Sequence, residues 1–136
     1  MTIAEFRRIA LSMPQATENA HMGLPDFRVK GKIFATLFSR DGDDWGMVKL
    51  KPDQQRRFVE ANPGVFEPIK GGWGLRGATQ VRLAAVNKKT LRDAMFTARL
   101  IAPVLEAVID QRIEAKREQT AGGLLVVKEI QARLDP

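Results

Sequence analysis

Residues 26–51, DFRVKGKIFATLFSRDGDDWGMVKLK, specify the central sheet of the protein. Apolar and charged residues alternate through Asp26–Lys30 until a glycine breaks the run, which is the period of a half-buried strand. Lys32–Ser39 is apolar at both parities, as expected of a central strand. Arg40–Asp43 supplies turn residues before a third strand at Trp45–Lys51. Links this short predict an antiparallel sheet.

Helices are predicted on either side of these strands. Thr2 and Glu5 fit a capping box, and apolar residues at helical spacing follow it as far as Pro14. Pro52 starts a second helix that ends near Ala61. Asn87 caps a long helix, whose apolar stripe consists of Leu91, Met95, Ala98, Ala102, Leu105, Ile109 and Ile113.

Two further strands are predicted, at Val65–Ile69 and Thr79–Val86. The resulting order predicts an α+β fold: an antiparallel sheet of about five strands, with the N- and C-terminal helices packed on one face. We expect a core that contains Phe6, Ile9, Val29, Val48, Leu50, Val81, Leu83, Leu91 and Met95.

Composition limits the possible functions. The 136 residues suit one domain, and no apolar run is long enough to cross a bilayer, so we expect a cytoplasmic protein. With no cysteine and one histidine, disulfides, thiol nucleophiles and multi-histidine metal sites are excluded. We therefore predict no enzyme activity, no metal site and no tightly held cofactor.

Three local motifs have structural and functional interpretations. Gly72–Gly77 (GWGLRG) matches G-x-G-x-x-G, but a strand pattern follows it, which favours a tight connection with Trp73 as a packing plug. His21 lies near acidic residues but has no recognisable second catalytic group, and with Trp73 it could line a small-molecule pocket. The aspartates of residues 41–44 lack the spacing of a calcium loop and indicate a turn.

The strand parity carries the strongest functional signal. Inward Phe27 and Val48 leave basic residues on the opposite face, where five positive charges face one negative: Arg28, Lys30, Lys49, Lys51 and Arg82 against Asp26. With a net charge of +6, this favours DNA as the partner, bound through phosphates with little sequence specificity, and Trp45 and Trp73 as stacking groups. The alternatives are an ordinary solvated face or a module that binds acidic proteins.

Several motifs together resemble the MmcQ/YjbR family of small bacterial proteins. They are Thr17–Val29 (TENAHMGLPDFRV), Gly31–Leu37 (GKIFATL), Met47–Leu50 (MVKL) and Gly72–Gly74 with Gly77 and Thr79. The resemblance covers roughly residues 1–103 and implies a frataxin-like fold. It also implies a DNA-binding role, by analogy with a phage double-wing motif. The acidic ridge of the frataxins has no counterpart in this basic chain.

Residues 104–136 form a predicted helical C-terminal extension of the same structural unit, longer than in most relatives. After Gly122 and Gly123, apolar residues recur at helical spacing: Leu124, Val127, Ile130 and Leu134. We expect this extension either to fold back on the domain or to form a homodimer. Arg99 stands where relatives often carry Trp.

Overall fold

A computed structural model describes the backbone of residues 1–120 and the side chains of residues 1–104. Its elements are α1 (Ile3–Ser12), β1 (Thr17–His21), β2 (Leu24–Val29), β3 (Lys32–Arg40), β4 (Asp43–Lys49), α2 (Pro52–Ala61), β5 (Phe66–Pro68), α3 (Gly72–Leu75), β6 (Ala78–Arg82) and α4 (Lys88–Thr120).

The strands of residues 1–120 form one sheet in the order β1-β2-β3-β4-β6-β5. Each neighbouring pair is antiparallel, so the predicted α+β architecture is confirmed. The sheet has six strands where about five were expected. The additional strand is β1, whose residues TENAH are all exposed except the half-buried His21, so no buried stripe marks it in the sequence.

The core lies between one face of the sheet and helices α1 and α4. All nine residues expected there are buried, from Phe6 at 0% exposure to Ile9 at 5%. Phe6 packs in a tilted pair on Phe27, with ring centroids 6.0 Å apart. The Phe6 ring also occupies the space above Gly46, where a Cβ atom would lie 2.3 Å from a ring carbon. Only glycine fits at this point of β4.

The predicted helix starts are confirmed. The Glu5 amide donates to the Thr2 hydroxyl over 3.1 Å, and the Thr90 amide donates to the Asn87 side-chain oxygen over 2.8 Å. These caps satisfy amides that have no partner within the helix. Pro52 occupies the first turn of α2, as expected for a residue without an amide proton.

Helix α4 is continuous across residues 103 and 104, where the sequence resemblance ends. The predicted dimer-forming positions Leu105, Ile109 and Ile113 lie beyond the side chains that the structure describes, and residues 124–134 lie beyond its described backbone. Within the described part of the chain, no helix combines the length and apolar character needed to span a bilayer.

Candidate functional site

The candidate site lies on the outer face of the sheet, the face that α1 and α4 leave uncovered. The register places Asp26 opposite Thr36, Thr36 opposite Met47, and Met47 opposite Gln80, so these residues form one row across that face. The row separates two ends of the sheet with different chemistry.

Basic residues converge at one of these ends. Strand β2 stops at Val29, β3 starts at Lys32, β4 stops at Lys49 and β6 starts at Ala78, and antiparallel pairing brings these termini together. We use the term basic end for the residues found there: Lys30, Lys32, Lys49, Lys51 and Arg76. The Leu50 amide donates to the Gly77 carbonyl over 3.2 Å and fastens the loop that carries Arg76 to this end.

Two predicted phosphate contacts, Lys30 and Lys51, lie at the rim of the sheet and not on its outer face. Lys30 occupies the β2–β3 turn with φ of +52°, followed by Gly31 at +75°. Two residues with positive φ match the twist of a tight hairpin, which ends β2 one residue earlier than alternation predicts. Lys51 is the N-cap of α2, because Pro52 begins the helix. Both lysines are exposed.

Arg28 lies on the outer face as predicted, but it is held by an acid. Its Nε donates to Asp26 Oδ1 over 2.8 Å, and its other guanidinium nitrogen donates to Oδ2 over 3.0 Å. The hydrogen bond from Arg28 lowers the pKa of the Asp26 carboxyl, against the opposing effect of burial, and His21 adds to the lowering. Asp26 likewise raises the pKa of Arg28. Arg28 is therefore committed to this fully buried carboxylate.

His21 is the second partner of Asp26. Its Nδ1 lies 2.8 Å from Asp26 Oδ2, so the carboxylate fixes the orientation of the imidazole ring. Asp26, at the centre of the trio, accepts hydrogen bonds from β1 and from its own strand. The His21–Asp26 contact adds a side-chain link to the backbone pairing of β1 with β2, which helps to hold an edge strand that has few buried side chains.

Arg82 lies at the opposite end from the other predicted contacts. Its guanidinium carbon is 4.4 Å from the centroid of the Trp45 ring, and that of Arg40 is 4.6 Å from the same centroid. Trp45 is 4% exposed beneath these cations and stacks on Phe38, so the prediction that it is available for stacking is wrong. Arg82 also approaches Asp43 at 3.9 Å.

Trp73 behaves in the opposite way. The expected packing plug is 62% exposed, so that prediction is wrong. The indole projects from α3 beside the basic end, with Lys49 Nζ 5.8 Å from its centroid and the Arg76 guanidinium 5.5 Å away. Its neighbour Leu75 is 61% exposed. Residues 72–77 therefore present the indole to solvent.

The loop beneath Trp73 is fixed by buried hydrogen bonds. Gln55, 7% exposed on α2, donates its amide to the carbonyls of Gly74 and Ala78, each over 3.0 Å. A Cβ at Gly74 would lie 1.5 Å from the Ile69 carbonyl oxygen, and one at Gly77 would lie 1.8 Å from that of Leu50. The glycines of this motif therefore allow close backbone packing, as the tight-connection interpretation requires.

The sequence of the chain matches the model of a known protein family. The model described as YjbR matches residues 11–100. The chain belongs to the YjbR family. No curated protein matches it. Among solved structures, the Deinococcus radiodurans protein DR2400, of domain DUF419, superposes with a TM-score of 0.60 at 16% identity, covering 74% of this chain and 77% of that one.

A second solved structure, a protein from Pseudomonas syringae, superposes with a TM-score of 0.59 at 14% identity, covering 75% of this chain and 99% of that one. At these identities the two likenesses concern the fold. They support the α+β architecture of this YjbR-family chain and leave its binding chemistry to be argued from the residues themselves.

The predicted pair of His21 and Trp73 is not brought together. Strands β2 and β3 separate β1 from β4, a distance of about 14 Å across the sheet. His21 also pairs with Leu24 near the end where Trp45 lies, whereas Trp73 borders the end at Lys49. These two residues therefore do not form the predicted small-molecule pocket.

Two cavities of about 300 and 360 Å³ lie among the helices of this YjbR-family chain, and none of the five basic-end residues lines either of them. The first is between α1 and α4 and the second between α2 and α4. Among the described residues, no group of three or more acidic or histidine side chains is placed to hold a metal ion.

Sequence reasoning missed two contributors to the outer face. Arg40 is the last residue of β3 and stacks on Trp45. The sequence does not reveal this, because residues 40–43 have the composition of a turn. Arg76 lies in the glycine-rich motif, which was interpreted only as a connection. A basic residue within a glycine-rich loop beside two lysine-bearing strand ends is the signal that could have identified it.

Proposed function

We propose that this YjbR-family protein is a DNA-binding protein that holds the phosphate backbone at its basic end. One observation carries the proposal: cations from the β2–β3 hairpin, the end of β4 and the glycine-rich loop lie at one end of the sheet, and two of them, Lys49 and Arg76, lie 5.8 and 5.5 Å from the centroid of the exposed Trp73 ring. Side chains from separate segments placed in this way match a polyanion better than an isolated ion.

The distribution of acids supports this location. Asp41 in the β3–β4 turn and Asp43 and Asp44 at the start of β4 lie at the opposite end of the sheet, where their carboxylates disfavour phosphate. Asp26 is neutralised by Arg28. Asp53, the acid nearest to the basic end in sequence, lies 3.9 Å from Arg57. The basic end should therefore attract a bound strand more strongly than the opposite end, where Arg40 and Arg82 are stacked on Trp45 among these aspartates.

The chemistry of the contacts predicts little sequence specificity. Lysine is a flexible point charge that binds phosphate oxygens and carries no information about the bases. Within residues 1–104, whose side chains the structure describes, α1 and α4 pack on the inner face of the sheet, so neither presents a helix from the outer face to a DNA groove. We therefore propose a binding protein with no catalytic step, acting in the cytoplasm, where DNA of any sequence is its ligand.

Charge reversal tests the proposal. We expect Lys30→Glu with Lys51→Glu to weaken binding of fluorescent DNA at least about tenfold for every sequence, because phosphate contacts are lost. Arg8→Glu with Lys89→Glu is the matched control, since both residues are exposed on the helices. Each pair lowers the net charge of +6 by four, to +2.

Fluorescence anisotropy then separates location from total charge. If both pairs weaken binding equally, only net charge matters and the proposed site is wrong. If the Lys30/Lys51 variant binds as well as the parent, the basic end does not contact DNA.

An acidic protein is the second candidate partner. The observation that favours it is Leu75, which is 61% exposed next to Trp73 and gives the basic end an apolar patch. Poly-glutamate binding that exceeds DNA binding at equal salt, and is lost in the Lys30/Lys51 variant, would identify a protein-interaction module instead.

A further inference from the structure

We infer that Trp73 is a stacking platform for an unpaired base, so that the protein prefers single-stranded DNA to duplex. This inference rests on the proposed function and identifies the form of its ligand. It comes from the different environments of the two tryptophans, from the rigid loop that carries Trp73 and from the position of the ring among the cations.

The two tryptophans differ in how completely other side chains cover their rings. Trp45 is covered by guanidinium groups at 4.4 and 4.6 Å from its centroid and is 4% exposed. Trp73 has its cations at 5.5 and 5.8 Å and is 62% exposed. The cations around Trp73 are near the outer limit of a cation–π contact, so the ring retains accessible surface for a planar ligand.

The backbone that carries Trp73 is already fixed in the free protein, so binding does not have to order it. Gly74 and Gly77 pack against the backbones of Ile69 and Leu50 more closely than any side chain would allow. The Thr79 hydroxyl donates to the Gly77 carbonyl over 2.9 Å, and Gln55 spans both sides of the loop. A platform fixed before binding loses little conformational entropy when a ligand arrives.

The position of the ring specifies the kind of ligand. Lys49 and Arg76 lie over the ring at 5.8 and 5.5 Å from its centroid, so the phosphates next to a base on the indole would lie close to positive charge. Proteins that bind single strands with little sequence preference combine aromatic rings, on which the bases stack, with nearby cations that bind the phosphates. In duplex DNA the bases already stack on each other, and reaching the indole would require unstacking them.

An abasic oligonucleotide tests the inference, because it keeps the phosphates and removes the bases. We compare a labelled thymidine oligonucleotide, an abasic one of equal length and a duplex, using the full chain at one salt concentration. Removing a stacked base should weaken binding roughly 5- to 150-fold, the equivalent of about 1–3 kcal/mol. The parent should therefore bind thymidine more tightly than abasic strand by a factor in this range.

Two variants connect that preference to Trp73. Trp73→Ala should bind thymidine and abasic strands equally, whereas Trp73→Phe should retain most of the preference. Since the ring is exposed, both variants should unfold at the urea midpoint of the parent.

The failures are distinguishable. If the parent binds thymidine and abasic strands equally, or if Trp73→Ala retains the preference, stacking is overturned while DNA binding stands. If the parent binds none of the three probes, the proposed function fails and the inference fails with it.

Discussion

Asp26 is the residue on which the outer face depends most. Its side chain is fully buried on the face opposite to α1 and α4, and it accepts hydrogen bonds from Arg28 and His21. A buried carboxylate needs such partners, since desolvation otherwise penalises its charge. The trio fixes Arg28 and joins the edge strand β1 to the sheet, so it acts as structure and leaves phosphate binding to the lysines.

The lowered pKa of Asp26 predicts how stability depends on pH. Because the hydrogen bond from Arg28 holds this pKa below the ordinary 3.8, the folded state binds the proton less readily than the unfolded chain. The stabilisation is thus present above about pH 4 and is lost as the pH falls through the depressed pKa. Urea unfolding of the parent from pH 6 to below pH 4 should show this decline.

Asp26→Asn removes the charge and keeps the shape. At neutral pH we expect a loss of about 1.5–3 kcal/mol in the free energy of unfolding, the range for hydrogen bonds to charged groups. Its stability should fall less steeply than that of the parent at acid pH. Parallel pH profiles for the two proteins would show that another carboxyl dominates.

The glycine-rich loop is the element that sets the position of Trp73. Gly77 has φ of +112° and no room for a Cβ beside Leu50, whereas a Cβ added at Gly72 would meet no atom within 4 Å. We predict that Gly77→Ala lowers the free energy of unfolding by at least about 2 kcal/mol, through backbone strain and overpacking. The control Gly72→Ala should change it by less than about 1 kcal/mol.

Urea midpoints measure both substitutions. Equal midpoints for Gly77→Ala and the parent would mean that the loop yields easily and does not fix the tryptophan. Equal losses for the two variants would mean that the close approach of Gly77 to Leu50 is not what makes the Gly77 substitution costly.

Elements with a buried face were predictable, and elements without one were not. Alternation identified β2 and β6, because Val29 and Val81 each lie between polar neighbours, and Val48 marks β4 with Lys49 beside it. Strand β1 and helix α3 bury too little to leave such a pattern. Their existence depends on pairing with β2 and on hydrogen bonds from Gln55, which are contacts distant in sequence.

The candidate site was predictable in composition and not in arrangement. Parity identified Arg28, Lys49 and Arg82 as outward residues, but it could not show that Arg28 binds Asp26 or that Arg82 covers Trp45. Side-chain partners of this kind are set by strand order and register. For the same reason the exposure of Trp73 was missed, since a tryptophan in a glycine motif more often packs inward.

At the scale of the whole molecule, α4 exposes a row of apolar residues on the side opposite to its buried stripe. Phe96, Leu100 and Val104 are about half exposed at four-residue spacing. Their exposure adds to the apolar stripe in the sequence of the extension, and we predict that the chain self-associates through this region. Light scattering of the full chain should report a dimer, and a chain ending at Arg117 should associate more weakly. A full-length monomer at high concentration would exclude a stable dimer.

The proposed function depends on a difference in charge between the two ends of the sheet. The basic end carries lysines and Arg76, whereas the opposite end carries Asp41, Asp43 and Asp44. This difference predicts that binding is driven by the release of counterions from phosphates. The number of cations at the basic end then sets how steeply affinity depends on salt, a quantity that no single substitution measures.

The affinity for a thymidine oligonucleotide, measured by anisotropy across a salt series, tests phosphate binding at the basic end. If all five cations there neutralise a phosphate, log affinity should fall with log salt at a slope near −3.5, from about 0.7 per contact. Lys30→Glu with Lys51→Glu should reduce the slope to roughly −2. Absence of binding near physiological salt, or an affinity that salt does not change, would contradict phosphate binding by this protein.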